Sequence, residues 1–224
     1  MKRRAALFFV GAVLSGVLFG LGPTWAASDP TAVQTSSSTV LMIFRNLFIP
    51  EIYLTVKPGL EAAGYEVKVA SREMGLLDAK NSPLEVQPDL LLANVVVTDY
   101  VAIVFGCDND LTTGTAYRDT DRIAQQAAVA GILQAGICTG PILMGHAGVL
   151  EGRNATAVVH ICTKLGLTYG ATCTRTRLEQ DGKFITAEDR GVSRQFLAAI
   201  LETLESDAQE PEPDTDNPGS DDGD

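Results

Sequence analysis

The feature that most limits the fold of this chain is a succession of short apolar runs of strand length separated by segments of helical period. TVLMIF (39–44) is almost wholly apolar, IYLTVKPGLEAAG (52–64) reads as a helix up to a glycine stop, and YEVKVAS (65–71) alternates as a strand. The cycle recurs, with YVAIVFG (100–106) as a buried strand, TDRIAQQAAVAG (120–131) as an amphipathic helix and ILQAGIC (132–138) as a strand. A helix is expected at 141–149, and ATAVV (155–159), TCTRTRLEQ (172–180) and KFITA (183–187) read as further strands. Asp181-Gly182 marks a hairpin turn between the last two, and RQFLAAILETL (194–204) closes the region as an amphipathic helix. Strands alternating with helices predict an α/β fold, with a mostly parallel sheet covered on both faces and functional groups at the carboxyl ends of its strands.

The segments flanking 39–204 differ in composition. MKRR, the apolar run that follows and Thr24-Trp25-Ala26 read as a secretory signal peptide over 1–26, followed by a linker at 27–38. The alternative is an uncleaved anchor, since Ala5 to Gly22 is at the lower edge of a spanning length. The polar stretch SDPTAVQTSSST favours cleavage, and with it a periplasmic or secreted protein with no stable membrane insertion. Residues 205–224 hold nine acidic residues, three prolines and no basic residue, so a disordered, solvated tail is expected. Loss of Lys2, Arg3 and Arg4 with the leader takes the formal charge from −11 to −14, which argues against a nucleic-acid partner. An exported chain with four cysteines invites disulfides. Cys162 and Cys173 flank the turn through LGLTYG and read either as a pair or as two reduced side chains.

GICTGPILMGHAGVL (136–150) sets Cys138 on the corner between a strand and a helix. A residue on such a corner projects above the sheet, beside unpaired amides of the helix N-terminus that lower a thiol pKa and can hold an oxyanion. Gly140 and Pro141 suit a tight turn into a helix. By spacing alone Cys138 is either a nucleophile or one more buried apolar side chain. Only His146 and His160 are neutral-pH bases. His146 reads as a satisfied residue of the helix, and His160, after ATAVV, as either a pocket residue or a surface one. The site calls for no cofactor and no metal, and the expected partner is a small-molecule substrate.

A-G-I-C-T-G-P followed by H-A-G-V-L-E-G-R-N-A-T resembles the ThiJ/PfpI (DJ-one) family of the class I glutamine amidotransferase-like superfamily. The resemblance extends over 39–204, through AAGYEVKVAS, YVAIVFG and DGKFITA. It implies a flavodoxin-like three-layer sandwich with a nucleophile-elbow cysteine, Cys138, and suggests a homodimer. It also implies a cysteine-dependent hydrolase, or a glyoxalase- or deglycase-like enzyme, acting on small carbonyl or amide compounds. Four departures bear on that. Thr139 stands where peptidase-like members carry a histidine base. The position of the glutamate that hydrogen-bonds the thiol falls on Ile52; Glu51, one residue earlier, takes the role if the turn shifts, or is an ordinary helix-start carboxylate. The glycine pair of the oxyanion loop falls on Cys107 and Asp108, so the backbone of Thr139 and Asp108 would supply the oxyanion hole. ITAEDRG (185–191) stands where I-T-x-R-G-P is usual. The same alignment puts Cys107 on a loop facing the elbow, either as a resolving cysteine within disulfide reach of Cys138 or as a small side chain ending a strand. These departures leave open a non-catalytic redox-sensing or binding domain.

Overall fold

A computed structural model of the protein describes residues 38–107 and 117–209. The signal peptide expected at 1–26, nearly all of the linker, Asp108 and residues 210–224 lie outside the described residues.

In chain order the elements are β1 (Thr39–Ile43), α1 (Pro50–Ala62), β2 (Glu66–Ser71), β3 (Leu77–Asp78), β4 (Glu85–Val86), β5 (Leu90–Leu91), β6 (Ala102–Phe105), α2 (Arg118–Val129), β7 (Leu133–Ile137), α3 (Pro141–His146), β8 (Asn154–Ala155), α4 (Val159–Tyr169), β9 (Thr172–Cys173), β10 (Leu178–Asp181), β11 (Phe184–Ala187) and α5 (Ser193–Gln209). Seven strands form one sheet in the order β10-β11-β7-β6-β1-β2-β5. Its pairings are parallel except for the β10–β11 hairpin. The central order β2-β1-β6-β7-β11 is the 2-1-3-4-5 winding of flavodoxin-like sheets. The chain leaves β1 toward β2 and returns to β6 on the other side, so a crevice is expected at the carboxyl ends of β1 and β6.

Period-2 side-chain direction divides the apolar strands between two layers. Val40, Met42 and Val104 face Ile52, Val56 and Leu60 of α1 with Phe196 and Ile200 of α5. Leu41, Ile43, Ile103 and Phe105 face Ile123 and Ala127 of α2, Met144 of α3 and Leu165 of α4. Each such aliphatic or aromatic side chain stabilises the fold by about 1.5–3 kcal/mol through burial, which is why runs polar on neither face form the sheet's centre.

Three expectations need correction. The stretch ATAVV does not run as a strand to 159: Asn154–Ala155 pairs only with Thr172–Cys173, and Val159–Tyr169 is a helix. Its β-branched start disguises a helical face of Ile161, Cys162 and Leu165, and Gly170 ends it in the left-handed conformation at φ 69°. The expected strand at 172–180 is likewise two short strands separated by a bend, with Arg175 at φ 57°. The closing helix also runs on to Gln209, so the first residues assigned to the acidic tail are helical.

Candidate active site

β7 ends at Ile137, and Cys138 adopts the left-handed conformation with φ 64° before the chain enters α3 at Pro141. For a residue with a Cβ this costs about 1–2 kcal/mol, so the surroundings must impose it. The Cys138 N–H donates to Ala187 O of β11 at 3.0 Å, the Val158 N–H donates to Cys138 O at 3.4 Å, and the Gly140 N–H closes the turn onto Ile137 O at 2.9 Å. Gly140 is required by close approach, since a Cβ there would lie 2.1 Å from the Phe105 carbonyl oxygen of β6. The strand-end clamp and the missing Cβ force the corner.

The expected row of unpaired helix amides is not found. α3 spans only six residues, Pro141 has no N–H, and the Ile142 and Leu143 amides bond back to Thr139 O and Gly140 O at 3.1 and 3.0 Å.

β6 ends at Phe105, and two residues later Cys107 forms a disulfide with Cys138, with Cα atoms 5.3 Å apart. Cys107 is 3% exposed and Cys138 is half-buried. Two contacts fix Cys107: its carbonyl accepts the Ile49 N–H at 3.2 Å, and the Thr139 hydroxyl donates to its Sγ at 3.4 Å. The adjacent Asp108, expected to contribute an oxyanion amide, lies outside the described residues. On the same carboxyl edge, beyond β1 and β2, a crevice of about 90 Å³ is lined by Arg45, Asn46, Ser71, Arg72 and Glu73.

The remaining candidates lie away from the sulfurs. Ile52 is fully buried in the core, whereas Glu51 is exposed in the first turn of α1 with its carboxylate 3.6 Å from the Arg190 guanidinium. His160 lies in the first turn of α4 with its side chain exposed. His146, at the end of α3, turns Nδ1 toward both carboxylate oxygens of Asp121 at 2.9 and 3.0 Å and stacks on Tyr117 at 4.2 Å. Arg190, Asp121 and Thr139 all lie in stretches the sequence singles out, but nothing in those stretches announces their contacts with Glu51, His146 and the Cys107 sulfur. Among the described residues no group of three or more His, Cys, Asp or Glu side chains is placed to hold a metal ion.

A doubly covered parallel sheet with a cysteine forced into positive φ on a strand-to-helix corner defines the class of α/β proteins with a nucleophile elbow. Residues 40–203 match the DJ-1/PfpI family, and the chain belongs to that family. It is 30% identical over 150 residues to protein DJ-1 homolog B of Arabidopsis thaliana, a match covering 65% of this chain and 33% of that one. The chain therefore spans about a third of the length of that relative. Against protein dj-1beta of Drosophila melanogaster it is 26% identical over 147 residues, covering 65% of this chain and 78% of the other. The fold matches the crystal structure of a ThiJ/PfpI domain protein from Brachyspira murdochii with a TM-score of 0.71 at 25% identity, over 76% of this chain and 98% of that one.

Proposed function

We propose that this is an exported, cysteine-dependent enzyme whose reduced Cys138 thiolate attacks the carbonyl carbon of a small carbonyl or amide compound. The left-handed backbone at Cys138, φ 64°, carries the reading: such strain persists where the surrounding structure over-determines it, and here it raises a sulfur above the carboxyl ends of the central strands. On attack the carbonyl oxygen takes the negative charge. With an amide the amine then leaves with a proton and water releases the acyl group from sulfur; with a 2-oxoaldehyde the oxygen takes a proton from water to give a hemithioacetal, the aldehyde hydrogen moves as a proton to the neighbouring carbonyl carbon, and water releases a 2-hydroxy acid from the resulting thioester. Thr139, in place of a histidine base, speaks against peptides as substrates. Export is supported by the leader-like N-terminus together with two disulfides, which suit an oxidising compartment. Among the described residues no helix is long and apolar enough to cross a membrane. A homodimer, implied by the family, is checked by sedimentation of the full chain.

The test is turnover of 2-oxoaldehydes and simple amides by the protein after treatment with a thiol reductant, beside Cys138→Ser. Turnover that disappears in the variant supports the proposal; none in the reduced wild type, or equal turnover in both, rejects it. A second reading, a redox-sensing domain without catalysis, is favoured by two observations. Cys138 is joined to Cys107, and Glu51, next to the family's glutamate position, lies 3.6 Å from the Arg190 guanidinium. Under that reading the reduced protein consumes none of these compounds.

A further inference from the structure

We infer that Cys107 and Cys138 are a redox couple that exchanges with external thiols and disulfides through the Cys138 sulfur, with Cys107 as the resolving thiol. The inference rests on Cys138 being the reactive thiol and not on any substrate being turned over.

The pair joins the carboxyl ends of the neighbouring strands β6 and β7, across a sequence separation of 31 and a Cα span of 5.3 Å, inside the range a disulfide accepts. The two sides are unequal. Cys107 is 3% exposed, with its carbonyl fixed by Ile49, whereas Cys138 is half-buried on a corner that lifts its side chain above the sheet. An incoming sulfur therefore meets Cys138 first. Thr139 adds a second asymmetry, because its hydroxyl donates to the Cys107 sulfur at 3.4 Å. A hydrogen bond to a sulfur favours its thiolate, and a thiol that is more easily ionised leaves faster in exchange.

The chemistry follows. An external thiolate attacks Cys138 Sγ, the bond to Cys107 breaks, and its electron pair stays on Cys107 Sγ, which takes a proton from water. A second external thiolate attacks the outer sulfur of the mixed disulfide and releases Cys138 as a thiolate. One protein disulfide and two external thiols become two protein thiols and one external disulfide. Run in reverse, a low-molecular-weight disulfide oxidises the pair. In the proposed enzyme this closes the nucleophile under oxidising conditions and opens it under reducing ones.

The experiment incubates the full chain in glutathione buffers of graded ratio, quenches with iodoacetamide and maps each cysteine by mass spectrometry. Cys107 and Cys138 should become alkylated together, and at a less reducing ratio than Cys162 and Cys173. Oxidised glutathione should leave a stable adduct on Cys138 in the reduced Cys107→Ser variant and none on Cys107 in Cys138→Ser. Thr139→Val should slow release of Cys107 about three- to tenfold, the worth of one weak hydrogen bond, with Thr139→Ser restoring it. An adduct carried by Cys107 in Cys138→Ser, or a Cys107–Cys138 pair as resistant as Cys162–Cys173, overturns the inference. Carbonyl turnover by the reduced protein without such exchange would sink this inference alone, and exchange without turnover would sink the proposed activity alone.

Discussion

The two cysteine pairs span nearly the same distance, with Cα separations of 5.3 Å for Cys107–Cys138 and 5.4 Å for Cys162–Cys173, yet they sit on different backbones. Cys162 lies within α4, buried at 1% exposure, and its partner ends β9, 11 residues later, across a turn that Gly170 already reverses. That pair staples a local excursion to itself. Cys107 and Cys138 join the ends of two central strands; Cys138 is held in the left-handed conformation, and the Cys107 sulfur accepts from the Thr139 hydroxyl. Chain entropy alone assigns the two bridges comparable stabilisation, about 3 kcal/mol for the shorter loop and about 4 for the longer. What separates them is the backbone each sulfur sits on, and the spacing of cysteines in a sequence does not report that.

The sharpest way to break this comparison is to remove one sulfur from each pair. In the reduced protein Cys138→Ser should lower kcat/KM for the carbonyl or amide substrate by about a thousandfold or more, the scale of losing a nucleophile. Cys162→Ser should leave it within about twofold, since a substitution remote from the chemistry removes no transition-state contact. Equal losses would mean that the elbow has no privileged role.

Glycine substitutions sharpen it further, because the same added methyl should have opposite signs in the two regions. At Gly140 a Cβ would lie 2.1 Å from Phe105 O and 3.0 Å from the Ile137 nitrogen, backbone atoms that cannot swing away. Gly140→Ala should cost about 3 kcal/mol or more and slow alkylation of Cys138 by shifting the corner. At Gly166, inside α4, the nearest atom to an added Cβ is Ala171 O at 3.5 Å, an ordinary contact. Gly166→Ala should stabilise by about 0.5–1 kcal/mol through helix propensity, and urea midpoints of the two variants check both signs.

The elbow was readable in the sequence because its cause is local: a short buried strand, Leu133–Ile137, a cysteine, then Gly140 and Pro141. The central strands were readable for a similar reason, being short runs apolar on both faces. α4 was missed because Val158 and Val159 mimic a strand start, and only packing of Ile161, Cys162 and Leu165 against the second core decides for helix. The nearness of Cys107 to Cys138 came through alignment with a family, since nothing in the spacing of the two states that β6 and β7 are neighbours. The Glu51–Arg190 and Asp121–His146 contacts join groups on different elements and leave no mark in any window of the chain.

Removal of the whole second pair tests the staple. Cys162→Ser with Cys173→Ser should lower stability by about 2–3 kcal/mol, seen as a fall in Tm, because an open loop regains entropy when the chain unfolds. The rate at which iodoacetamide labels reduced Cys138 should not change. A slower rate would show that α4 and the β8–β9 ribbon help hold the elbow through Val158, whose N–H reaches the Cys138 carbonyl at 3.4 Å.

The smallest effect is expected at Glu51. Its side chain is 55% exposed, and the Arg190 side chain 3.6 Å away is 60% exposed, so solvent screens the pair and it is worth about 0–1 kcal/mol. The position that the family resemblance gives to the glutamate beside the thiol belongs instead to Ile52, fully buried in the core. Glu51→Gln should therefore leave Tm nearly unchanged and shift the midpoint of the pH–rate profile for Cys138 alkylation by less than roughly half a unit. A carboxylate that faced the thiolate would behave otherwise. Ionised, it would hold the thiol pKa up, and its removal would move the profile to lower pH; protonated and donating, it would hold the pKa down, and its removal would move the profile to higher pH. A shift of a full unit in either direction would show that the first turn of α1 swings Glu51 onto the reduced sulfur and that the Arg190 contact belongs to the disulfide form alone.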